Sequence, residues 1–138
     1  VDTRGNVLST ADPTGGSEAW QATAVDDEPD NQAGSSNGFL SGLSCPTDQF
    51  CAATDYAGNV LVNDDPGGDP DGWSLSPTGL HHLQDISCPT PSFCVLASFD
   101  GIAISTAPAS GAWARPMPWG RPTLDRLPDN DILRRRHL

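Results

Sequence analysis

An all-β chain of short antiparallel strands is predicted by three observations: a cysteine-marked repeat, a turn-rich composition and no segment with a helical period. The 138 residues include 14 Gly and 13 Pro, and only 36 % are hydrophobic, so one large core is not expected. The repeat is explicit. Ser44-Cys45-Pro46-Thr47-Asp48-Gln49-Phe50-Cys51 returns as Ser87-Cys88-Pro89-Thr90-Pro91-Ser92-Phe93-Cys94, an offset of 43 that extends from Leu40/Leu83 to Gly58/Gly101. A second series runs at an offset of 53. It places Gly5-Asn6-Val7-Leu8 on Gly58-Asn59-Val60-Leu61, Asp12-Pro13 on Asp65-Pro66 and Trp20 on Trp73. The ten extra residues form one insertion around 26–38, which is acidic and Gly-rich as a surface loop should be.

Within the complete unit the expected strands are 40–45, 50–55, 59–63 and 73–76. The segments Pro-Thr-Asp-Gln, Tyr-Ala-Gly and a Pro/Gly/Asp loop provide the breaks between them. Phe93-Cys94-Val95-Leu96-Ala97 is continuously apolar, which predicts a strand covered on both faces. Four short strands per unit of about 43 residues is the sequence signature of a propeller blade. The prediction is therefore a partial β-propeller of about two and a half four-stranded antiparallel blades. Residues 1–116 hold a partial blade (5–25), a full blade (40–77) and a third (83–116), followed by a basic tail (117–138) expected to be disordered or loosely packed. Position 131, one period beyond Cys88, is Asp, so the repeat has ended there. Two and a half blades do not close a ring, and the start at Val1 lacks Met. The chain thus reads as a fragment or a self-associating piece with apolar end faces.

The turn Ser9-Thr10-Ala11-Asp12-Pro13-Thr14-Gly15-Gly16 with Trp20 resembles a loosened Asp-box, the bacterial-neuraminidase repeat of sialidase-like propellers. The combined pattern is similar to repeats in secreted multi-blade proteins of high-GC bacteria, and the chain has no Lys. The third turn, Ala107-Pro108-Ala109-Ser110-Gly111-Ala112-Trp113, departs from the pattern in lacking the Asp. By this resemblance Trp20, Trp73 and Trp113 each pack over their own turn; the functional alternative is stacking on sugar rings.

Cys45, Cys51, Cys88 and Cys94 allow three disulfide connectivities. Local pairing, Cys45 with Cys51 and Cys88 with Cys94, is favoured because each repeat carries its own pair and adjacent antiparallel strands bring Cα atoms within disulfide reach. Zinc would require shorter Cys-x2-4-Cys knuckles. Structural disulfides imply an oxidising compartment, hence a secreted or cell-surface location. Asp12 and Asp65 are expected to form turns by accepting backbone N–H bonds. Asp64, Asp65, Asp69 and Asp71 supply oxygen ligands of the type calcium takes, although their spacing matches no EF-hand and a solvated acidic loop is the default. No other cofactor is implied. Adjacent His81 and His82 would point oppositely on a strand and suit a linker or packing role. Trp119 belongs to no series. Arg121, Arg126, Arg134, Arg135 and Arg136 give the tail the look of an interaction arm.

Charge narrows the partners. Seven Arg against eighteen acids give a formal net charge of −11, which argues against nucleic acid, and no apolar run is long enough to span a membrane. The sialidase resemblance implies an arginine cluster and a tyrosine nucleophile, yet residues 1–113 hold one Arg (Arg4) and one Tyr (Tyr56). No catalytic constellation is visible, and no carboxylate pair is singled out for glycoside hydrolysis. The expected role is an extracellular repeat module for binding or scaffolding, with a glycan or protein ligand and the loops 26–38 and 64–72 as candidates. The alternatives are a glycoside hydrolase fragment and a purely structural envelope repeat. Further blades or self-association are the other expected partners.

Overall fold

The computed structural model describes residues 1–26 and 39–114, together with the backbone of residues 117–118. It is all-β, with ten strands in three antiparallel sheets among the described residues. The first sheet pairs β1 (Asn6–Ser9) with β2 (Gln21–Ala24). The second is a meander of β3 (Leu40–Thr47), β4 (Phe50–Asp55), β5 (Asn59–Asn63) and β6 (Ser74–Pro77). The third repeats it with β7 (Leu83–Thr90), β8 (Phe93–Ser98), β9 (Gly101–Ser105) and β10 (Met117–Pro118). Two three-residue 3-10 turns, Ser17–Ala19 and Pro108–Ser110, are the only helical elements among the described residues. None is long and apolar enough to cross a membrane.

Strand limits differ from expectation where turn chemistry decides them. β3 runs two residues past Cys45 because the chain bulges between Ser44 and Thr47 before turning into Phe50. β6 starts after Trp73, whose indole is committed to the preceding loop. β10 lies just beyond the expected boundary at residue 116; the rest of the tail, Trp119 and its arginines included, lies outside the described residues. The Gly58/Gly101 match needs correcting. Thr54 pairs with Val60 but Ala97 pairs with Ile102, so the third hairpin is one residue shorter and Gly101 is the counterpart of Asn59.

The sheets stack face to face, and the middle one is covered on both sides. Val7, Leu40, Ala53 and Leu61 form a cluster between the first and second sheets. A larger cluster joins the second to the third, with Phe50, Ala52, Val60 and Val62 against Leu83, Ile86, Cys88 and Leu96. All six residues of β4 are buried, which explains the run Phe50-Cys51-Ala52-Ala53: alternate residues face opposite neighbours, and both neighbours are apolar. The prediction of two-sided burial for the run 93–97 fails. Cys94 and Leu96 are buried against the second sheet, whereas Phe93 is 37 % exposed and Val95 and Ala97 are half-buried. In the second sheet the matching residues Phe50, Ala52 and Thr54 are 4 % exposed or less, because the third sheet covers them. Two-sided burial depends on having a neighbour on each side, and β8 has one among the described residues.

Both local disulfides form, Cys45–Cys51 and Cys88–Cys94, each with Cα atoms 4.1 Å apart across the bulged hairpin. On a loop-entropy account a ring this small contributes about 2 kcal/mol. Two such clips are consistent with an extracellular protein.

Candidate functional site

The chain has two chemically distinct ends, set by which way each hairpin turns. At the cystine end lie the loops after β1, β5 and β9, which carry the expected Asp and Trp residues. Asp12 accepts hydrogen bonds from Thr14 N at 3.1 Å and Thr14 Oγ1 at 2.8 Å, and Asp65 accepts one from Gly68 N at 3.0 Å. Asn63 ties the larger loop shut, accepting from Asp65 N and donating to Asp69 O. Asp64, Asp65, Asp69 and Asp71 do not converge: among the described residues no three acidic, His or Cys side chains are grouped to hold a metal.

The three tryptophans differ in their surroundings. Trp73 packs on the cluster between the first and second sheets and donates Nε1–H to Pro70 O at 3.1 Å. Trp113 packs on the cluster between the second and third sheets, and its Nε1 is buried without an acceptor. Each therefore leans toward the preceding sheet. Trp20, in the first sheet, has no preceding sheet among the described residues and is 43 % exposed.

A slot of about 300 Å³ opens between the first and second sheets, lined by Leu8, Trp20, Leu43, Cys45, Pro70 and Trp73 among others. Its origin is topological. Among the described residues the first sheet has two strands where the second has four, so the space beside β1 holds no described counterpart of β4.

At the opposite end, four rings follow one another across the surface. Phe39 and Tyr56 have centroids 5.9 Å apart, Tyr56 and His82 4.7 Å, and His82 and Phe99 6.1 Å. Phe39 and Phe99 are 38 % and 66 % exposed, His82 is exposed and Tyr56 is half-buried. Backbone bonds hold the row: Tyr56 N donates to Phe39 O at 2.8 Å, and His82 N to Tyr56 O at 3.0 Å. Asp100 Oδ2 accepts from His81 N at 3.1 Å. His82 lies in the connection between β6 and β7, where a linker or packing role was expected. It occupies the left-handed region at φ 53°, the one non-glycine residue to do so among those described. Such backbone costs about 1–3 kcal/mol and persists where surrounding structure enforces it.

The Tyr56 turn is rigid because a buried carboxylate clamps it. Asp55 Oδ1 accepts from Gly58 N at 2.7 Å and Asn59 N at 2.8 Å, and Oδ2 from Asn59 Nδ2 at 2.6 Å. Gly58 is at φ 116°, and a Cβ there would collide with the Leu80 carbonyl. The first sheet repeats the clamp: Asp2 accepts from Arg4 N, Asn6 N and Asn6 Nδ2 at 2.8–2.9 Å. Hydrogen bonds from the Asn6 side chain and backbone hold the Asp2 carboxyl below the ordinary carboxylate range. In the third sheet Ser98 Oγ takes over, accepting from Asp100 N and Gly101 N at 3.0 Å.

Sequence reasoning missed the row and the clamps, although both carry a signal. Phe39/His82 and Tyr56/Phe99 stand 43 apart, and Asp-x-x-Gly-Asn occurs at 2–6 and again at 55–59. Loop 26–38 lies outside the described residues except for Asp26, which is buried. Fold and surface together define a cystine-clipped, all-β repeat protein. No protein-family model, curated protein or solved structure matches the chain.

Proposed function

We propose that this chain is an extracellular repeat module of β-propeller type that binds a glycan along the row Phe39–Tyr56–His82–Phe99. The observation that carries the reading is four rings joined by three consecutive contacts and left open on one surface. A pyranose presents an apolar C–H face edged by hydroxyls. A flat exposed ring answers the face, and polar groups beside it answer the edge. Here the polar neighbours are His81, Gln84 and Asp100, with Gln84 Nε2 already donating to His82 O at 3.1 Å. The acidic surface disfavours anionic polymers. Meander sheets stacked in register and clipped by cystines support the propeller reading, and the cystines support secretion.

A glycan array probed with the full chain tests this, followed by titration of the best hit. Phe99→Ala, at a side chain 66 % exposed, removes a ring without disturbing the core and is expected to weaken binding at least tenfold. Leu75→Ala, exposed and outside the row, is expected to bind as the parent does. Equal binding by Phe99→Ala would remove the row from the reading.

A further inference from the structure

We propose that the aromatic row reads an extended, linear β-1,4-linked polysaccharide, with one sugar to each ring over four consecutive units; this deepens the glycan reading above and rests on it. The first argument is order and spacing. Leu40 pairs with Asp55 and Leu83 with Ser98, so each meander brings the residue before its first strand beside the residue after its second. The second sheet thereby contributes Phe39 and Tyr56, and the third contributes His82 and Phe99. Two ring steps lie within a sheet, at 5.9 and 6.1 Å, and the one between them, at 4.7 Å, crosses from sheet to sheet. The file therefore advances along the stack while alternating between strand entry and turn. Each step is close to the distance between the two glycosidic oxygens across one pyranose, so successive rings meet successive sugars of an extended polymer.

The second argument is tilt. Neighbouring ring planes differ by 64°, 54° and 50°. The same backbone position returns at every second ring, as Phe39 and His82 and as Tyr56 and Phe99. A β-1,4 linkage turns each sugar relative to the last and brings the same edge back at every second one, which is the same alternation. A flat crystalline face needs coplanar rings, and neighbours in this row are not coplanar. An α-1,4-linked polymer of the same sugar coils, and leaves a file that keeps advancing. Backbone bonds and the Asp55 clamp fix the row before a ligand arrives, so little ordering is left to oppose binding.

The experiment is calorimetric titration of the full chain with cello-oligosaccharides and chito-oligosaccharides of two to six sugars, the two series separating glucose from N-acetylglucosamine as the repeating unit. In the series that binds, affinity is expected to rise about fivefold to tenfold with each sugar up to four and then to level. Maltohexaose, which is glucose in α-1,4 linkage, is expected to bind about tenfold or more weakly than the hexasaccharide of that series. Phe39→Ala removes an exposed ring at one end of the row, and its affinities are expected to level at three sugars. Equal affinity for disaccharide and hexasaccharide, equally tight binding of maltohexaose, or a plateau that Phe39→Ala leaves in place would overturn the proposal. The two readings fail differently. A glycan whose binding falls in Phe99→Ala without regard to length or linkage removes this inference and keeps the site, whereas no binding by any saccharide removes both.

Discussion

The paired carboxylate clamps offer a controlled measurement, because Asp55 and Asp2 each accept three bonds, two of them from the asparagine four residues on, in different surroundings. Asp55 is fully buried, while Asp2 is half-buried at the edge of the first sheet. In Asp55→Ala the N–H groups of Gly58 and Asn59 lose their acceptor, Gly58 within a buried turn. Bonds to a charged acceptor contribute about 1.5–3 kcal/mol each and are not additive, so a loss of about 3 kcal/mol is expected. For a domain near 100 residues that corresponds to a fall in Tm of roughly 10–20 °C. In Asp2→Ala, water replaces the carboxylate, and the cost should be about 1 kcal/mol or less. Thermal unfolding followed by far-UV circular dichroism, with urea titration for ΔG, reads both variants. If Asp55→Ala is no more destabilising than Asp2→Ala, burial is not what gives the clamp its strength, and the account of the Tyr56 turn is wrong.

Other outcomes follow from the same geometry. Trp113→Phe removes a buried N–H that has no acceptor while keeping an aromatic on the core, so it should change ΔG by less than about 1 kcal/mol; Trp73→Phe, which loses the bond to Pro70, should cost more. Under mild reductant, alkylation with mass-spectrometric mapping should label Cys45 and Cys51 before Cys88 and Cys94, since Cys45 is exposed and Cys88 is buried. His82→Gly relieves the positive φ but adds chain entropy to the unfolded state, so Tm should move little while glycan affinity falls at least fivefold. The Asp2 carboxyl is held low in the folded chain, so its contribution is complete above the unfolded value of about 3.9 and is lost as pH falls through the folded one. Acid titration of Asp2→Asn should therefore show a shallower loss of stability below pH of about 4 than the parent does.

What was legible in the sequence was what repeats as identical residues. Ser-Cys-Pro with Phe-Cys placed both cystines and the hairpins that hold them, and Gly-Asn-Val-Leu aligned β1 with β5. The rest was obscured where the repeat keeps a role and changes the residue. Phe39 and His82 occupy one position and Tyr56 and Phe99 another, yet the rings were visible only once Tyr56 was seen between Phe39 and His82. The clamp is Asp in two units and Ser in the third, where the turn is also one residue shorter, so a fixed offset carries Gly58 onto the wrong partner. The positive φ of His82 has no sequence signal of its own: histidine is among the types enriched there, yet only a few per cent of non-glycine residues adopt it. Burial of the run 93–97 was misjudged for a different reason: apolar pattern records what a strand can be packed against, not what is there.

Gly42 lets β3 and β7 approach so closely that a Cβ would fall 2.9 Å from the Asp85 Cα. One period on, the residue in that position is Asp85 itself. Its carboxylate curls back over the glycine, with Oδ1 the atom nearest a Cβ built there, and is held in that place by the Ile86 N–H. Spacing in this array is thus not a constant of the fold but a local choice, written one side chain at a time.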